Sequence, residues 1–140
     1  PYIVETAVGC DRTALVILSD AFRKQPDKDG ERIWMQFHPK FAPYKVGVFP
    51  LMKKPELQEV TDKLYSDIRK RFRASYDDAG SIGKRYRRQD EIGTPYGVTI
   101  DYDTLTDHKV TVRHRDSMAQ ERVPLESILR YIEDGFQNWK

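Results

Sequence analysis

The chain has 140 residues, of which 39% are hydrophobic and 33% are charged, and its formal net charge is +2. This length and composition predict a soluble globular domain with its own core, and no apolar run approaches the roughly 20 residues that span a membrane. Cys10 is the single cysteine, which excludes an internal disulfide framework and a cysteine-based zinc site, and the three histidines lack metal-ligand spacing.

Residues 1–44 are predicted to form a strand, a helix and a linker. Residues 2–4 read as a short apolar strand, and Asp11 can cap a helix from Arg12 to about Arg23. Apolar residues surround that helix, which predicts burial on more than one side. The polar stretch 25–31 reads as a loop and the proline- and aromatic-rich stretch 34–44 as an irregular linker, so we expect a domain boundary here.

From Lys45 onward the hydrophobic pattern is regular. The predicted elements are strand 45–52, a helix that Pro55 starts and that extends to 72, strand 74–76, turn 77–80, a helix after Ser81, strand 96–102, turn 103–107, strand 109–115 and a helix from 125 to 136. This order predicts an α/β fold with a mixed β-sheet flanked by helices, parallel at its start and carrying an antiparallel hairpin at one edge.

Residues 81–96 concentrate positive charge in one helix that ends in a Gly-Thr-Pro turn. Ile82 and Tyr86 are predicted to face inward, and Lys84, Arg85 and Arg88 outward. A basic helix that leads into a strand through a tight turn can contact phosphates. The alternative is a charged helix face that only meets solvent.

The predicted strand 109–115 places Lys109, Thr111, Arg113 and Arg115 on one face, because side chains alternate along a strand. Cations beside hydroxyls on a sheet can bind phosphates and unstacked bases. An exposed edge strand, charged so that it does not aggregate, explains the pattern equally well. The nearby aspartates lack the spacing of a calcium loop and are predicted to form turns.

Glu5 and Arg12 lie on either side of a glycine-containing turn at a strand-to-helix junction. An arginine at the start of a helix adds its charge to the positive end of the helix dipole, which suits a polyphosphate. From the spacing alone, an ordinary capped helix with an exposed arginine is the favoured interpretation.

Four segments resemble glycyl-tRNA synthetases, which are class II aminoacyl-tRNA synthetases. Residues 1–12, with sequence PYIVETAVGCDR, resemble the third signature motif of class II in its variant with a glutamate ahead of Gly-x-Asp-Arg. Residues 38–46, 77–95 and 110–118 resemble the linker and the anticodon-binding domain of the same family. The resemblance implies a C-terminal piece of a longer protein: a remnant of the catalytic domain in 1–25, a linker in 26–44 and an anticodon-binding domain in 45–140.

The resemblance also implies a reaction for the full enzyme. ATP and glycine would form glycyl-adenylate, and the glycyl group would pass to the 3′ end of glycine tRNA. Arg12, the expected catalytic residue, would hold the ATP phosphates, and Glu5 would bind the substrate ammonium; Ala7 stands where the family often has serine. ATP, with Mg²⁺, is expected only in the full enzyme, because the first two class II motifs are missing from the chain and the chain alone should be inactive.

In the wider group of related domains, Thr104 and Arg113 match positions that face the anticodon. The expected tRNA contacts are Thr104, Arg113, Arg115, Lys84, Arg85 and Arg88. The full-length protein is expected to be a cytoplasmic homodimer without a membrane partner. Two alternatives are a non-catalytic accessory protein on the same scaffold, which should lose Glu5 and Arg12, and a protein-interaction domain whose basic patch only aids solubility.

Overall fold

A computed structural model of the chain describes residues 2–27 and 30–139. Helix α1 (Cys10–Ala21) leads into an antiparallel hairpin of β1 (Phe22–Asp27) and β2 (Gly30–Met35). The remaining elements are β3 (Val46–Pro50), α2 (Pro55–Arg69), β4 (Ala74–Tyr76), α3 (Ile82–Ile92), β5 (Tyr96–Ile100), α4 (Thr104–Asp107), β6 (Lys109–His114), β7 (Gln120–Pro124), a 3-10 turn (Leu125–Ser127) and α5 (Ile128–Gln137).

Five strands form the main sheet in the order β4-β3-β5-β6-β7. β3 pairs in parallel with both β4 and β5, whereas β5, β6 and β7 are successively antiparallel. The predicted mixed sheet, parallel at its start, is confirmed. β7 was not predicted, because its sequence is polar and only Val123 is buried. The hypothesis that 109–115 is an exposed edge strand is therefore wrong, since β6 lies between β5 and β7.

Helices cover both faces of this sheet. On one face, α2 and α5 pack on apolar strand residues; the buried members are Val46, Val48, Leu57, Leu64, Ile68, Tyr96, Val98, Ile100, Val110, Val112, Val123, Ile128 and Ile132. On the other face, α3 approaches closely because Gly47 and Gly97 lack side chains. A Cβ atom at Gly97 would lie 2.8 Å from the Tyr86 ring, and one at Gly47 would lie 3.1 Å from Gln89. Burial on both faces explains why every residue of β5 is buried.

The N-terminal region departs from the sequence-based expectation. Residues 2–4 are exposed and form no strand, because no described strand pairs with them. Asp11 was expected to cap a helix that begins at Arg12. Helix α1 begins at Cys10 instead, so Asp11 lies within its first turn, and no side chain caps the helix. Only the end of α1 packs, through Ala21 and Ile17, and the predicted burial on several sides is absent, since Val16 remains 65% exposed.

The hairpin β1–β2 replaces the predicted loop 25–31 and the first residues of the predicted linker. Its two strands pair from Phe22 opposite Met35 to Asp27 opposite Gly30. Arg32 and Trp34 of β2 are buried, and Arg32 reaches Asp90 of α3. Part of the segment expected as a linker is thus packed against α3. Within the described residues, no helix is long and apolar enough to cross a membrane.

Candidate nucleic-acid interface

A cleft of about 460 Å³ lies between α3, the hairpin and β6, and we call it the α3 cleft. Its lining residues are Asp27, Arg32, Ser81, Gly83, Lys84, Tyr86, Arg87, Asp90, Arg113 and Met118. Four of these side chains are cations and two are carboxylates. The local excess of positive charge on a nearly neutral chain suits an anionic ligand.

The floor of the α3 cleft is a carboxylate held between two guanidinium groups. Arg113 donates from Nη1 to Asp90 Oδ1 at 2.8 Å and from Nη2 to Oδ2 at 3.0 Å. Arg32 donates to the same Oδ2 from Nε at 3.1 Å and from Nη2 at 3.0 Å. All three side chains are at most 10% exposed. Because buried charge-assisted pairs of this kind fix side-chain geometry, the guanidinium of Arg113 has one defined orientation.

The ring of Tyr86 packs against the face of the Arg113 guanidinium. The Cζ atom of Arg113 lies 4.8 Å from the centre of the Tyr86 ring, and the Tyr86 hydroxyl is 2.6 Å from Thr99 Oγ1. Burial raises the pKa of Tyr86 despite the hydrogen bond to Thr99, so the phenol is neutral near pH 7. Arg113 is therefore clamped by a carboxylate on its edge and by an aromatic ring on its face.

The rim of the α3 cleft carries exposed cations. Lys84 is exposed, and Arg87 is 46% exposed with its Nη2 atom 3.9 Å from Asp27 Oδ2. Deeper in the cleft, the buried Nη1 of Arg32 has no hydrogen-bond partner among the described residues. A buried donor without a partner invites an acceptor from a ligand or from water. The cleft thus combines exposed cations at its rim with fixed donors at its floor.

A second polar network lies beside the cleft on the same sheet. Arg122 of β7 donates to Asp101 Oδ2, to Thr111 Oγ1 and to both carboxylate oxygens of Asp107. Burial opposes ionisation of Asp101, but hydrogen bonds from Arg122 and Thr104 outweigh it and lower the pKa of the carboxyl group. The hydrogen bond from Arg122 likewise lowers the pKa of Asp107. One arginine thus binds both aspartates and offsets part of their negative charge, and both lie at the turns for which they were predicted.

Thr104 is buried and its hydroxyl is engaged within the chain. Both its backbone N–H and its Oγ1–H donate to Asp101 Oδ1, at 3.0 and 2.9 Å. The Oγ1 atom also accepts from the backbone N–H of Asp101 at 3.2 Å. Thr104 closes the turn after β5, and its hydroxyl has little capacity left for a base.

Arg85 and Arg115, two further expected tRNA contacts, are buried, and for Arg85 this corrects the predicted outward orientation. Arg85 is 3% exposed and donates to the carbonyl oxygens of Pro50, Asp78 and Gly80, so it ties the end of β3 to the loop before α3. Arg115 is 1% exposed and donates to the carbonyl oxygens of Gly93 and Phe37. The two guanidinium groups donate hydrogen bonds to backbone carbonyl oxygens that would otherwise be bound by backbone N–H groups.

The other predicted contacts lie at the surface. Arg88 is 43% exposed and donates from Nε and Nη2 to Asp77 Oδ2, which anchors it to the loop before α3. Glu5 lies in the irregular segment before α1, and Arg12 lies in the first turn of α1; both are exposed. Neither of these two residues lines the α3 cleft.

Sequence reasoning missed Asp90 and Arg32, the residues that organise the cleft floor. Asp90 lies four positions after Tyr86 on α3, so helical spacing from an inward-facing residue could have identified it. Arg32 was not identified because no strand was predicted at residues 30–35. In addition, a charged residue occupies this buried position, so the sequence shows no apolar side chain that would indicate burial.

Comparisons with known proteins place the chain in a family. Residues 45–135 match the family described as the anticodon binding domain. The chain is 50% identical over 141 residues to the glycine–tRNA ligase of Borreliella burgdorferi, an alignment that covers 100% of the chain and 32% of that protein. It is 51% identical over 135 residues to the glycine–tRNA ligase of Clostridium acetobutylicum, covering 96% of the chain and 29% of that protein. The chain spans about a third of the length of these curated relatives.

Solved structures share the fold at low sequence identity. A prolyl-tRNA synthetase from Cryptosporidium parvum, complexed with L-proline and AMP, superposes with a TM-score of 0.70 at 19% identity, over 75% of this chain and 23% of that one. The RNA binding domain of threonyl-tRNA synthetase from Cryptosporidium parvum Iowa II gives 0.59 at 24% identity, over 66% and 23%. By the sequence match and by this shared fold, the chain belongs to the anticodon binding domain family.

Proposed function

We propose that the chain is the anticodon-binding part of a glycine–tRNA ligase and that it binds the anticodon region of glycine tRNA. The observation that carries this proposal is the 50% identity to a glycine–tRNA ligase along the full length of the chain. The match to the anticodon binding domain family over residues 45–135 supports a domain at 45–140. Residues 1–25 would be a remnant of the catalytic domain, and the segment 26–44, expected as a linker, contributes a hairpin strand that is bound to α3 through Arg32 and Asp90.

The α3 cleft is the proposed contact surface for the tRNA. An anticodon is single-stranded, so its bases can leave the stack and present their edges to a fixed guanidinium. Arg113, clamped by Asp90 and Tyr86, supplies such a group. Lys84 and Arg87 at the rim are exposed and suit phosphates, which position the RNA without reading its sequence.

The remaining predicted contacts take an indirect role in this proposal. Arg85 and Arg115 hold the loops around α3 through backbone carbonyls. Arg88 and Thr104 each bind a neighbouring aspartate, and so shape the loops before α3 and after β5. They would affect tRNA binding through loop geometry, whereas Lys84, Arg87 and Arg113 would touch the RNA.

For the whole protein, we propose the two-step, ATP-dependent attachment of glycine to its tRNA, in a cytoplasmic homodimer. Arg12 would hold the ATP phosphates, and Glu5 would hold the substrate ammonium. Mg²⁺ would accompany ATP in the full enzyme; the described residues contain no group of three or more histidine, cysteine, aspartate or glutamate side chains that could hold a metal ion. The chain alone is expected to activate no glycine.

Binding of glycine tRNA to Arg113 and rim variants tests the proposal. Arg113→Lys keeps the charge but loses the guanidinium fork, so it should reduce discrimination against an anticodon-mutated tRNA by about 5- to 150-fold, equivalent to roughly 1–3 kcal/mol. Lys84→Gln with Arg87→Gln should weaken the binding of both tRNAs equally and reduce the dependence of the affinity on salt concentration. Arg130→Gln, on the exposed and remote α5, is the control. Equal affinity of the unmodified chain for both tRNAs would disprove anticodon reading.

A further inference from the structure

A second basic groove, of about 530 Å³, lies at the amino ends of β3 and β4, where α2 ends, and we call it the amino-end groove. Its lining residues are Tyr44, Tyr65, Arg69, Lys70, Arg71, Phe72, Arg73 and Ala74. Four of the eight are cations and three are aromatic. None of them lines the α3 cleft, and α2 packs on the opposite face of the sheet from α3. The groove is thus separate from the proposed anticodon surface.

Carboxylates compensate only part of this positive charge. Lys70 pairs with Asp67 at 2.7 Å, and Arg71 pairs with Glu133 at 2.8 Å. Arg69 makes no ion pair among the described residues and lies over the Tyr65 ring, with its Cζ atom 5.4 Å from the ring centre. A guanidinium stacked on an aromatic ring keeps its edge donors available for an acceptor.

Arg73 is the second uncompensated cation, and it faces another positive charge. Within the described part of the chain it makes no ion pair, and its neighbour Lys45 is held in place by the carbonyl oxygens of Pro39, Lys40 and Ala42. Burial and the charge of Arg73 lower the pKa of Lys45. Lys45 is held by three carbonyl oxygens, and an anion bound at Arg73 would offset the positive charge of both side chains.

We infer that the amino-end groove binds the phosphodiester backbone of RNA through Arg69 and Arg73. Phosphate matches the guanidinium fork in a bidentate geometry, and alternating cations and aromatic rings are typical of surfaces that follow a nucleic-acid strand. The partner rests on the proposed function, since we take it to be the same tRNA, contacted outside its anticodon. Such a contact would add affinity without sequence selectivity.

The test measures the affinity of the 140-residue chain for glycine tRNA across a series of salt concentrations. Arg69→Gln with Arg73→Gln should weaken binding by about tenfold and reduce the slope of log affinity against log salt by about 1 per arginine. The loss should be equal for the native and the anticodon-mutated tRNA. Arg69→Lys with Arg73→Lys keeps the charge and should retain most of the slope. Lys63→Gln with Arg130→Gln removes the same charge from exposed sites that do not line the groove and should change the slope little.

The outcomes separate this inference from the proposed function. An unchanged salt slope in the Arg69/Arg73 glutamine variant, with circular dichroism like that of the parent chain, would overturn the groove as an RNA site even if the Arg113 and rim variants lose binding. An equal loss in the Lys63/Arg130 control would overturn it too, because the effect would then come from net charge. If the Arg69/Arg73 glutamine variant weakens binding while Arg113→Lys leaves anticodon discrimination unchanged, the result supports the amino-end groove as an RNA site and contradicts the α3 cleft as the anticodon site.

Discussion

Asp90 is a buried anion whose two oxygens accept hydrogen bonds from two arginines that are distant in sequence. Arg32 comes from the hairpin and Arg113 from β6, so a single carboxylate joins three elements. The desolvation of such a cluster is offset only when every partner is present. Its side chains therefore act as a unit that both stabilises the fold and orients the proposed reading residue.

Asp90→Asn should lower the free energy of unfolding by about 3–5 kcal/mol, because two buried guanidinium groups would lose their counter-charge. Urea denaturation at pH 7, followed by circular dichroism, measures the change. Asp134→Asn is the matched control: its pair with Arg130 is exposed, at 3.7 Å, and should contribute well under 1 kcal/mol. Similar losses in the two variants would mean that the cluster contributes no more than a surface pair.

Arg122→Gln should destabilise the chain in a pH-dependent manner. Arg122 lowers the pKa of Asp101 and Asp107 below their ordinary value of 3.8 in the folded state, so its contribution is complete only well above that value and is lost as the pH falls through the folded values. At pH 7 the loss of the partly buried Asp101 pair should lower the unfolding free energy by about 0.5–1 kcal/mol. Urea midpoints of parent and variant should differ at pH 7 and converge as the pH falls below 3.8. A constant difference would show that packing of Arg122, and not its charge, matters.

Helix α3 is the element that positions the α3 cleft, and its two ends differ in their tolerance of side chains. At its C-terminal end, Gly93 has a φ of +88° and lies against β2 and the following segment, so a Cβ atom there would be 2.5 Å from Phe37 and 2.8 Å from the carbonyl oxygen of Met35. At its N-terminal end, a Cβ atom added to Gly83 would have no neighbouring atom within 4 Å outside its own helical turns. At its C-terminal end, α3 is therefore in close contact with β2 and with the segment that follows β2.

Gly93→Ala should lower the unfolding free energy by about 2–5 kcal/mol, from about 1–2 kcal/mol for a left-handed conformation and about 1–3 kcal/mol for the close contacts. Gly83→Ala, the control in the same helix, should raise it by about 0.4–1 kcal/mol, because alanine restricts the unfolded chain and meets nothing in the folded one. Thermal unfolding of the two variants gives opposite shifts in Tm if this holds. Shifts of the same sign would contradict the packing described for α3.

For the molecule as a whole, the hairpin belongs to the folded unit and the exposed part of α1 contributes little. A chain of residues 22–140 should keep most of its stability, since α1 packs only through its last turns. A chain of residues 36–140 loses Arg32 and should be less stable than 22–140 by on the order of 3–5 kcal/mol. Urea denaturation of both truncations decides this. Equal stability would support a domain boundary at residue 45 with a passive linker before it.

The elements from Val46 onward were largely predictable, because their apolar residues repeat with the period of the element they form. Leu57, Leu64 and Ile68 are buried on α2 at helical spacing, and Val110 and Val112 alternate inward on β6. The strand β7 and the hairpin escaped prediction for the opposite reason. Their inward positions are few or charged, as at Arg32, so the period of two is not visible as a pattern of apolar residues.

The α/β order, the mixed sheet and the concentration of cations around α3 all follow from the amino-acid sequence without any structure. Which of those cations are available to a ligand depends instead on the packing of the folded chain. Arg85 and Arg115 are as basic as Arg87 by sequence, yet backbone carbonyls bind the first two inside the protein and Arg87 remains at the surface. A charge is a property of one residue, whereas its partners come from segments distant in the chain, so the role of each arginine follows from the packing that brings those segments together.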